Sequence, residues 1–331
     1  MIAGAPAEAR WSRPEPRRTL APELLARIVH AAFPHRRAVS AETFTGGLRN
    51  ANFKVALDGA PGTVVLRIYE HDPSLCRKEI DIFGLLGGSV PVPAVLHAEP
   101  GGMDQVPPFT FSRFVEALSF HELKRMGDRE AIAQAARSAG ETLAAIGRRR
   151  FARAGWLGPG PAVGAPLMEG RNPLPRFLDL CLAHPLFQQR VPADRRGPVH
   201  DLAWRWAPRL ANLDDDPRLV HGDFNRRNLL VRPVNGRWRV AAVLDWEFAI
   251  AGSPLADLGS FLRYEKAHAP LAEPRFSEGY RTAGGELPDD WRPLARLLAL
   301  AATCESLTHE DLPAPIAEEL VQLLAAHCGP E

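Results

Sequence analysis

The chain has 331 residues, enough for two domains, and its 46% hydrophobic and 24% charged residues are ordinary for a globular protein. A formal net charge of +1 gives no reason to expect a nucleic acid or an acidic membrane as partner. The four cysteines lie far apart without a C-x-x-C pair, and no apolar run approaches the roughly 20 residues that span a bilayer. These features argue against a zinc site, a disulfide framework and a membrane protein, and they predict a cytoplasmic location.

The first part of the chain is predicted to be rich in β-structure. Residues 1–18 contain Arg and Pro but no apolar signal core, so we expect a loosely ordered tail and no secretory signal. Helical spacing of apolar residues predicts a helix over 20–33, and β-type runs follow over 42–57 and 62–70. A second helix is predicted over 74–88, where a Gly-Gly pair closes it.

The period of the apolar residues becomes mainly helical after about residue 117. Two strands are predicted before that point, over 92–99 and 108–116, and a long Ala-rich helix with Asp128 as N-cap is predicted after it, over 128–151. A loop over 155–175, more helix over 176–213, strands within 218–250 and a helical tail over 255–327 complete the prediction. The pattern predicts an α+β fold of two lobes, a small β-rich lobe over 19–115 and a larger, mainly helical lobe over 116–331.

The stretch VHGDFNRRNLL, residues 220–230, contains closely spaced polar residues between apolar runs. His221, Asp223 and Asn228 have the intervals of the protein-kinase catalytic loop, H-R-D-x-x-x-x-N. Such a carboxylate orients an acceptor hydroxyl and takes its proton, and the amide oxygen reaches a magnesium ion that bridges the nucleotide phosphates. Asp245 ends a later apolar strand, where a second carboxylate for the same metal belongs. A surface turn built from Asp and Asn is the alternative reading.

A longer pattern contains this stretch. The run LVHGDFNRRNLLV…VLDWEFAIAGSPLADLGSFLRYE resembles the aminoglycoside phosphotransferase and choline kinase family, whose members are small-molecule relatives of protein kinases. That family combines H-x-D-x4-N, a strand ending in I/L-D-W/F-E/D, and G-x-P-x-x-D-[LI]. The resemblance covers about residues 40–310 and implies a bilobal, protein-kinase-like fold.

The resemblance also implies roles for individual residues. Asp223 corresponds to the catalytic base, and Asn228 and Asp245 correspond to magnesium ligands. His221 corresponds to a structural residue of the loop, and Asp257 to a buried aspartate that hydrogen-bonds the catalytic loop. Without the resemblance, Asp257 is read as a helix-start residue beside Gly and Pro.

An ATP-binding region is expected upstream of the catalytic loop. Alone, Gly46 and Gly47 are read as a hairpin turn, but GGLRNANFKV, which includes Asn50, fits the phosphate-loop pattern G-G-x-x-N-x-x-[FY]-x-V of the family. Arg67 stands in mid-strand, where a protein kinase has its phosphate-binding lysine, and it resembles the arginine of the choline and ethanolamine kinase branch. Glu79 on the next helix is expected to hold Arg67 in place. Without the family pattern, Arg67 and Glu79 would each be interpreted as a solvated side chain.

The linker between the lobes is expected to meet the adenine edge. The residues concerned are Arg113, Phe114, Val115 and Glu116, and the sequence does not say which of them contacts the base.

The acceptor site is less clearly marked. Carboxylates for a polycation could come from Glu265, Glu305 and Glu310. An aromatic cage for a quaternary ammonium could come from Trp204, Trp206, Tyr264 and Trp291, although tryptophans at such spacings are more often core residues. Arg205 could equally meet an acidic substrate.

Several functions remain open at this point. The leading hypothesis is a phosphotransferase that depends on ATP and Mg²⁺ and phosphorylates a small-molecule hydroxyl of an amino alcohol, sugar or related metabolite. An aminoglycoside-type antibiotic phosphotransferase and a nucleotide-binding pseudokinase are the alternatives. A protein kinase is disfavoured because LDWE replaces D-F-G and no A-P-E follows. The oligomeric state is open.

Overall fold

The structure is a computed structural model that describes residues 20–44, 50–167, 173–213, 215–265 and 269–328. These residues form two compact units. Within the described ranges, unit 1 contains the residues up to 88, residues 92–116 and residues 158–161. Unit 2 contains residues 89–91, residues 117–157 and the described residues from 162 onward.

Unit 1 is built on one antiparallel sheet. Its five strands have the order β1-β2-β3-β5-β4. In chain order its elements are α1 (Pro22–Ala32), β1 (Ala38–Thr43), β2 (Ala51–Leu57), β3 (Thr63–Ile68), α2 (Ser74–Leu86), β4 (Val95–Glu99) and β5 (Phe109–Arg113). Buried residues alternate along β2 and β3, as expected for strands with one face on a core.

The core of unit 1 joins this sheet to α1. Phe53, Leu66 and Phe111 are fully buried together with Ile28 from α1. Helix α2 ends at Leu86, and its C-cap is Gly87 with a φ of 52°, so the closing glycine predicted from the sequence is confirmed.

Unit 2 is mainly helical and contains two small three-stranded sheets, β10-β9-β6 and β7-β11-β8. Its elements are β6 (Leu118–Ser119), α3 (Phe120–Met126), α4 (Arg129–Ile146), β7 (Gly155–Trp156), α5 (Pro173–Ala183), α6 (Pro185–Arg190), α7 (Ala193–Leu210), β8 (Arg218–Val220), β9 (Leu229–Val234), β10 (Arg237–Val243), β11 (Ile250–Gly252), α8 (Leu255–Leu262), α9 (Arg275–Thr282), α10 (Trp291–Ser306) and α11 (Ala314–Cys328).

Helix α4 shows what the apolar pattern predicted well and what it did not. The Asp128 side chain accepts a hydrogen bond from the Ala131 N–H at 3.0 Å, which confirms the predicted N-cap. The helix ends at Ile146 with Gly147 as its C-cap, instead of continuing to residue 151, and Arg150 forms a β-bridge with Arg218. The helical prediction over 176–213 is also corrected, since Pro185 begins a separate short helix.

Within the described ranges, no helix is long and apolar enough to cross a membrane.

Candidate active site

The stretch with the kinase-like spacing forms a loop that Asp257 holds by its backbone. The loop follows β8 and leads into β9. The backbone N–H groups of His221 and Gly222 donate to the two Asp257 carboxylate oxygens at 2.7 and 3.0 Å. Asp257 is fully buried and lies in the first turn of α8. It therefore lies at the start of a helix and also holds the loop, as the two interpretations of the sequence predicted.

Asp257 is an acid in an apolar setting. Burial raises its pKa to about 7, and the backbone N–H groups of His221, Gly222 and Phe224 act in the opposite direction. These amides stabilise the ionised carboxylate and at the same time fix the loop.

His221 supports the loop from inside. Its Nδ1 accepts a hydrogen bond from the Asp223 N–H at 3.1 Å, so its Nε2 carries the proton and donates to the Leu244 carbonyl at 2.8 Å. Burial lowers the pKa of His221 from its usual 6.5 to about 4, while the Leu244 carbonyl and the charge of Asp245 raise it. A neutral imidazole therefore connects the loop at Asp223 to the segment at Leu244.

Gly222 is a site residue that the sequence analysis did not single out. Its φ is +83°, and a Cβ at this position would lie 2.2 Å from the Phe248 carbonyl oxygen. Only glycine fits there without a shift of the backbone. The signal in the sequence was the glycine between His221 and Asp223.

Asp223 is half-buried, and two amides orient it. Asn225 Nδ2 donates to its Oδ1 at 2.8 Å, and Asn228 Nδ2 donates to its Oδ2 at 2.9 Å. Burial raises the pKa of Asp223 to about 6, while the charge of Arg263 and the two amides oppose this rise and Asp245 adds to it. The group is therefore ionised at neutral pH. Asn225 and Arg263 were not predicted as site residues, because the motif leaves their positions unspecified.

Asp245 lies close enough to this loop for its charge to act on both His221 and Asp223. The Leu244 N–H donates to the Asn228 carbonyl at 2.8 Å, which ties the segment before Asp245 to the loop. Asp245 has a φ of +66°, which is uncommon for a residue other than glycine and is a form of strain that clusters at functional sites.

These residues suit a magnesium ion by their chemistry. The amide nitrogen of Asn228 donates to Asp223, so the amide oxygen is the atom that could bind a metal ion. Mg²⁺ takes oxygen ligands and is commonly held by one or two carboxylates together with substrate phosphates. No group of three or more His, Cys, Asp or Glu side chains forms a metal cage in the described part of the chain. A site of few protein ligands, such as Asn228 and Asp245, fits this ion better than a closed cage does.

Arg67 and Glu79 form an ion pair in unit 1. Arg67 Nε on β3 lies 3.3 Å from Glu79 Oε2 on α2, and the exposed fractions of the two side chains are 16% and 4%. The neighbouring Arg77 pairs instead with Asp81 at 3.0 Å. Glu79 is therefore the helix carboxylate that holds Arg67.

Tyr69 completes this arrangement and was not predicted from the sequence. Its hydroxyl donates to Glu79, and its ring lies under the Arg67 guanidinium, 5.3 Å from ring centroid to Cζ. Burial and the charge of Glu79 raise the pKa of the Tyr69 phenol well above its usual value, so the hydroxyl keeps its proton and remains a donor.

The other predicted nucleotide-binding residues are only partly described. Gly46 and Gly47 lie outside the described residues. Asn50 is buried directly before β2. At the end of β5, the backbone N–H of Arg113 donates to the Ala94 carbonyl at 2.8 Å. Phe114 carries the Lys54 ammonium over its ring at 4.8 Å. Val115 is half-buried and Glu116 exposed.

The carboxylates considered for a polycationic acceptor have different surroundings. Glu265 is buried, and its carboxylate accepts from the backbone N–H groups of Ala272 and Glu273 and from Arg226 at 2.7 Å. It is therefore engaged within the fold. Glu305 and Glu310 are exposed side chains.

The aromatic residues considered for an ammonium cage are also separated by their environments. Trp291 is 1% exposed and belongs to the core. Trp204 donates to Asp179 at 2.9 Å, and Trp206 and Tyr264 are half-buried. Arg205 is exposed. The prediction that tryptophans at such spacings are core residues is confirmed for Trp291.

Comparison with known proteins adds two kinds of similarity in sequence. Residues 40–297 match the sequence model of a family described as the phosphotransferase enzyme family. Acyl-CoA dehydrogenase family member 11 from Gallus gallus is 45% identical over 60 residues, and the human protein of that name is 30% identical over 98 residues. These matches cover 18% and 30% of this chain and 8% and 12% of the length of the two relatives.

Solved structures are similar over nearly the whole chain. A mutant of aminoglycoside phosphotransferase APH(4)-Ia, in ternary complex with AMP-PNP and hygromycin B, superposes with a TM-score of 0.64 at 18% identity. That match covers 92% of this chain and 97% of the other. The GDP complex of aminoglycoside 2'-phosphotransferase-IIIa gives a TM-score of 0.68 at 17% identity, over 91% and 96% of the two chains. At this identity the likeness shows the fold, and it confirms the predicted α+β, protein-kinase-like fold.

Proposed function

Because the chain belongs to the phosphotransferase enzyme family, as the sequence resemblance predicted, we propose that it is a small-molecule kinase. It transfers the γ-phosphate of ATP to a hydroxyl of a small acceptor and depends on Mg²⁺. The observation that carries this proposal is the arrangement of Asp223, which is ionised at neutral pH and held by two amides on a loop that buried Asp257 fixes.

Asp223 is the base in this proposal. Its carboxylate accepts a hydrogen bond from the acceptor hydroxyl, orients the oxygen towards the γ-phosphorus and takes the proton as the new P–O bond forms. The bond that breaks joins the γ-phosphorus to the oxygen between the β- and γ-phosphates, and ADP leaves. A pKa of about 6 suits this task, because the group is ionised at neutral pH and is still basic enough to accept a proton.

Asn228 and Asp245 are the side chains that would hold the magnesium ion. When bound, the ion neutralises charge on the β- and γ-phosphates. Asn228 also donates to Asp223, so one residue would orient both the base and the metal.

Arg67 is the phosphate-binding cation. A guanidinium can bind phosphate through two parallel N–H···O bonds, and Glu79 and Tyr69 define its orientation. Gly46, Gly47 and Asn50 are proposed to cover the phosphates, and the segment Arg113–Glu116 to meet the adenine. The buried thiols of Cys76 and Cys181, which form no disulfide, are in keeping with the proposed cytoplasmic location.

An amino alcohol, sugar or related metabolite is the proposed acceptor, in preference to an antibiotic. The near-neutral net charge and the engaged state of Glu265 do not favour a polycation. The complex of APH(4)-Ia with hygromycin B keeps an aminoglycoside acceptor as the second candidate. A pseudokinase is disfavoured because Asp223, Asn228 and Asp245 are all present.

The test measures ATP consumption in the presence of magnesium, with amino alcohols, sugars, hydroxy acids and aminoglycosides supplied one at a time as acceptors. The variant is Asp223→Asn, and the matched control is Asp201→Asn, which changes an exposed aspartate on α7. We expect turnover with at least one acceptor and a loss of roughly 100- to 10,000-fold in kcat for Asp223→Asn, with unchanged nucleotide binding by calorimetry. Equal turnover in Asp223→Asn and the control would reject the role of Asp223, and absence of nucleotide binding would reject the kinase function.

A further inference from the structure

We propose that Arg263 binds an anionic group of the acceptor, so that the substrate is a hydroxyl compound that also carries a carboxylate or a phosphate. The inference rests on the proposed kinase function and names the charge class of its acceptor.

The position of Arg263 follows from the helix that carries it. Arg263 is the C-cap of α8, whose first turn holds the catalytic loop through Asp257. Near the other end of this helix, the Phe261 ring lies 6.0 Å from the ring of Phe224, the residue after Asp223. Two contacts thus fix α8 against the loop, and Arg263 follows the second of them by two residues.

Arg263 lies near enough to Asp223 for its charge to act on that carboxylate. A base must come within hydrogen-bond distance of the hydroxyl it deprotonates. The acceptor must therefore bind beside Asp223, and an ionic group a few atoms from its hydroxyl lies within the field of Arg263.

The hydrogen bonds of Arg263 indicate that it has donors to offer. Its terminal nitrogen donates to the Ser260 hydroxyl at 3.3 Å, which is long for such a bond. Its Nε is buried and has no hydrogen-bond partner among the described residues. A guanidinium has five N–H donors, and a buried donor without an acceptor is costly. A carboxylate or phosphate on the substrate would supply the missing acceptor oxygens in bidentate geometry.

The opposite charge class fits this position poorly. An ammonium group beside Arg263 would be repelled, and Glu265, the buried carboxylate two residues further on, is occupied by two backbone amides and Arg226. The local charge therefore narrows the acceptors proposed above to anionic metabolites, in preference to an amino alcohol or an aminoglycoside.

The experiment compares acceptors that differ in charge, and the members of its first pair are also similar in size. Glycolate is compared with ethanolamine, and glycerol phosphate with glycerol, in assays of ATP consumption with magnesium. The variants are Arg263→Met and Arg263→Lys, and Arg281→Met changes an exposed arginine on α9 as control. Assays are run at about pH 8.5, well above the range in which Asp223 titrates, so that a change in the pKa of the base does not contribute.

We expect wild type to prefer the anionic member of each pair. Arg263→Met should lower kcat/KM for the anionic acceptors by roughly 10- to 100-fold, the loss expected when hydrogen bonds to a charged group are removed. The loss in kcat/KM for glycerol should be much smaller than for the anionic acceptors, and KM for ATP should stay as in wild type. Arg263→Lys should keep part of the preference. If Arg263→Met does not fold, Arg263→Lys tests the inference by itself, because its smaller loss is expected only with the anionic acceptors. Arg281→Met should have no effect.

Three outcomes overturn the inference. A preference for ethanolamine would reject it and leave the proposed function intact. An equal loss with all acceptors, together with a higher KM for ATP, would assign Arg263 to the phosphates of ATP. No ATP consumption with acceptors of either charge class, in an enzyme that is folded, would reject the proposed function and the inference together.

Discussion

The two units hold their reactive groups by different means. In unit 1, Arg67 is held by the side chains of Glu79, through an ion pair, and of Tyr69, through its ring. In unit 2, the segment around Asp223 is held by its backbone, whose amides donate to buried Asp257. A guanidinium on a long side chain can adjust to phosphate oxygens by rotation, but a base that must meet one proton needs a fixed backbone. A cation can therefore be positioned by neighbouring side chains, whereas the position of the proposed catalytic carboxylate depends on the loop as a whole.

The largest effect is expected from Gly222→Ala, which breaks the backbone support in unit 2. The new Cβ would meet the Phe248 carbonyl oxygen at 2.2 Å in a left-handed conformation. We expect a loss of about 3 kcal/mol or more in the free energy of unfolding, measured by urea denaturation. Gly236→Ala is the matched control, because its φ is +75° with nothing within 4 Å of the added Cβ, and about 1 kcal/mol is expected. Equal losses in the two variants would contradict a close contact at Gly222.

The second effect concerns the neutral His221. Its folded pKa is about 4 against an unfolded 6.5, so the unfolded state binds more protons between these values. The stability that comes from a neutral His221 is present above about pH 6.5 and is lost as pH falls towards 4, by roughly 3 kcal/mol at most. We expect this loss in the wild-type free energy of unfolding and not in His221→Gln.

The difference between the two pH profiles separates His221 from the other titrating groups, Asp257 among them. Parallel profiles for wild type and His221→Gln between pH 6.5 and 4 would show that His221 is not held neutral.

The third effect tests the clamp of unit 1. Arg67→Met removes the proposed phosphate-binding cation, and we expect KM for ATP to rise roughly 10- to 100-fold. Arg67→Lys keeps the charge as a point donor and should fall between Arg67→Met and wild type. Arg77→Met, on the exposed face of α2, is the control. The role of Arg67 is rejected when its methionine variant has a KM for ATP equal to that of the control.

The smallest effect is expected from Tyr69→Phe. The ring under Arg67 is kept and only the hydrogen bond to Glu79 is lost, so the free energy of unfolding should fall by about 1 kcal/mol. A much larger loss would mean that the clamp depends on Tyr69 more than on the Arg67–Glu79 ion pair, and thermal or urea unfolding distinguishes the two cases.

Much of the fold followed from local patterns. The β-type runs that contain β2 and β3, the Asp128 cap and the closing Gly87 were each predicted from a few neighbouring residues, and the structure confirms them. The end of α4 at Ile146 was missed although Gly147 caps the helix, and the bridge that follows, from Arg150 to Arg218, joins residues far apart in the chain and could not be predicted.

The site could be predicted where the residue types and their spacing specify the chemistry. The intervals of His221, Asp223 and Asn228 identified the loop before its geometry was known. The neighbours Asn225 and Gly222 could not be singled out, since an x in a motif carries no information on contacts. The roles of Asp223, Asn228, Asp245 and Arg67 in catalysis stay predictions until the variants above are measured.

The sequence by itself determined the family and the reaction type, because phosphoryl transfer needs particular donor atoms at short spacings along one chain. Only the tertiary structure decided which candidates are engaged elsewhere. Glu265 and Trp291 have the chemistry of acceptor-binding residues, yet one bonds backbone amides and the other lies in the core. Asp257 meets the backbone of His221 from 36 residues away. Periodicity reveals which face of an element is apolar, but long-range packing selects what covers that face, and so it decided that Arg263 acts on Asp223.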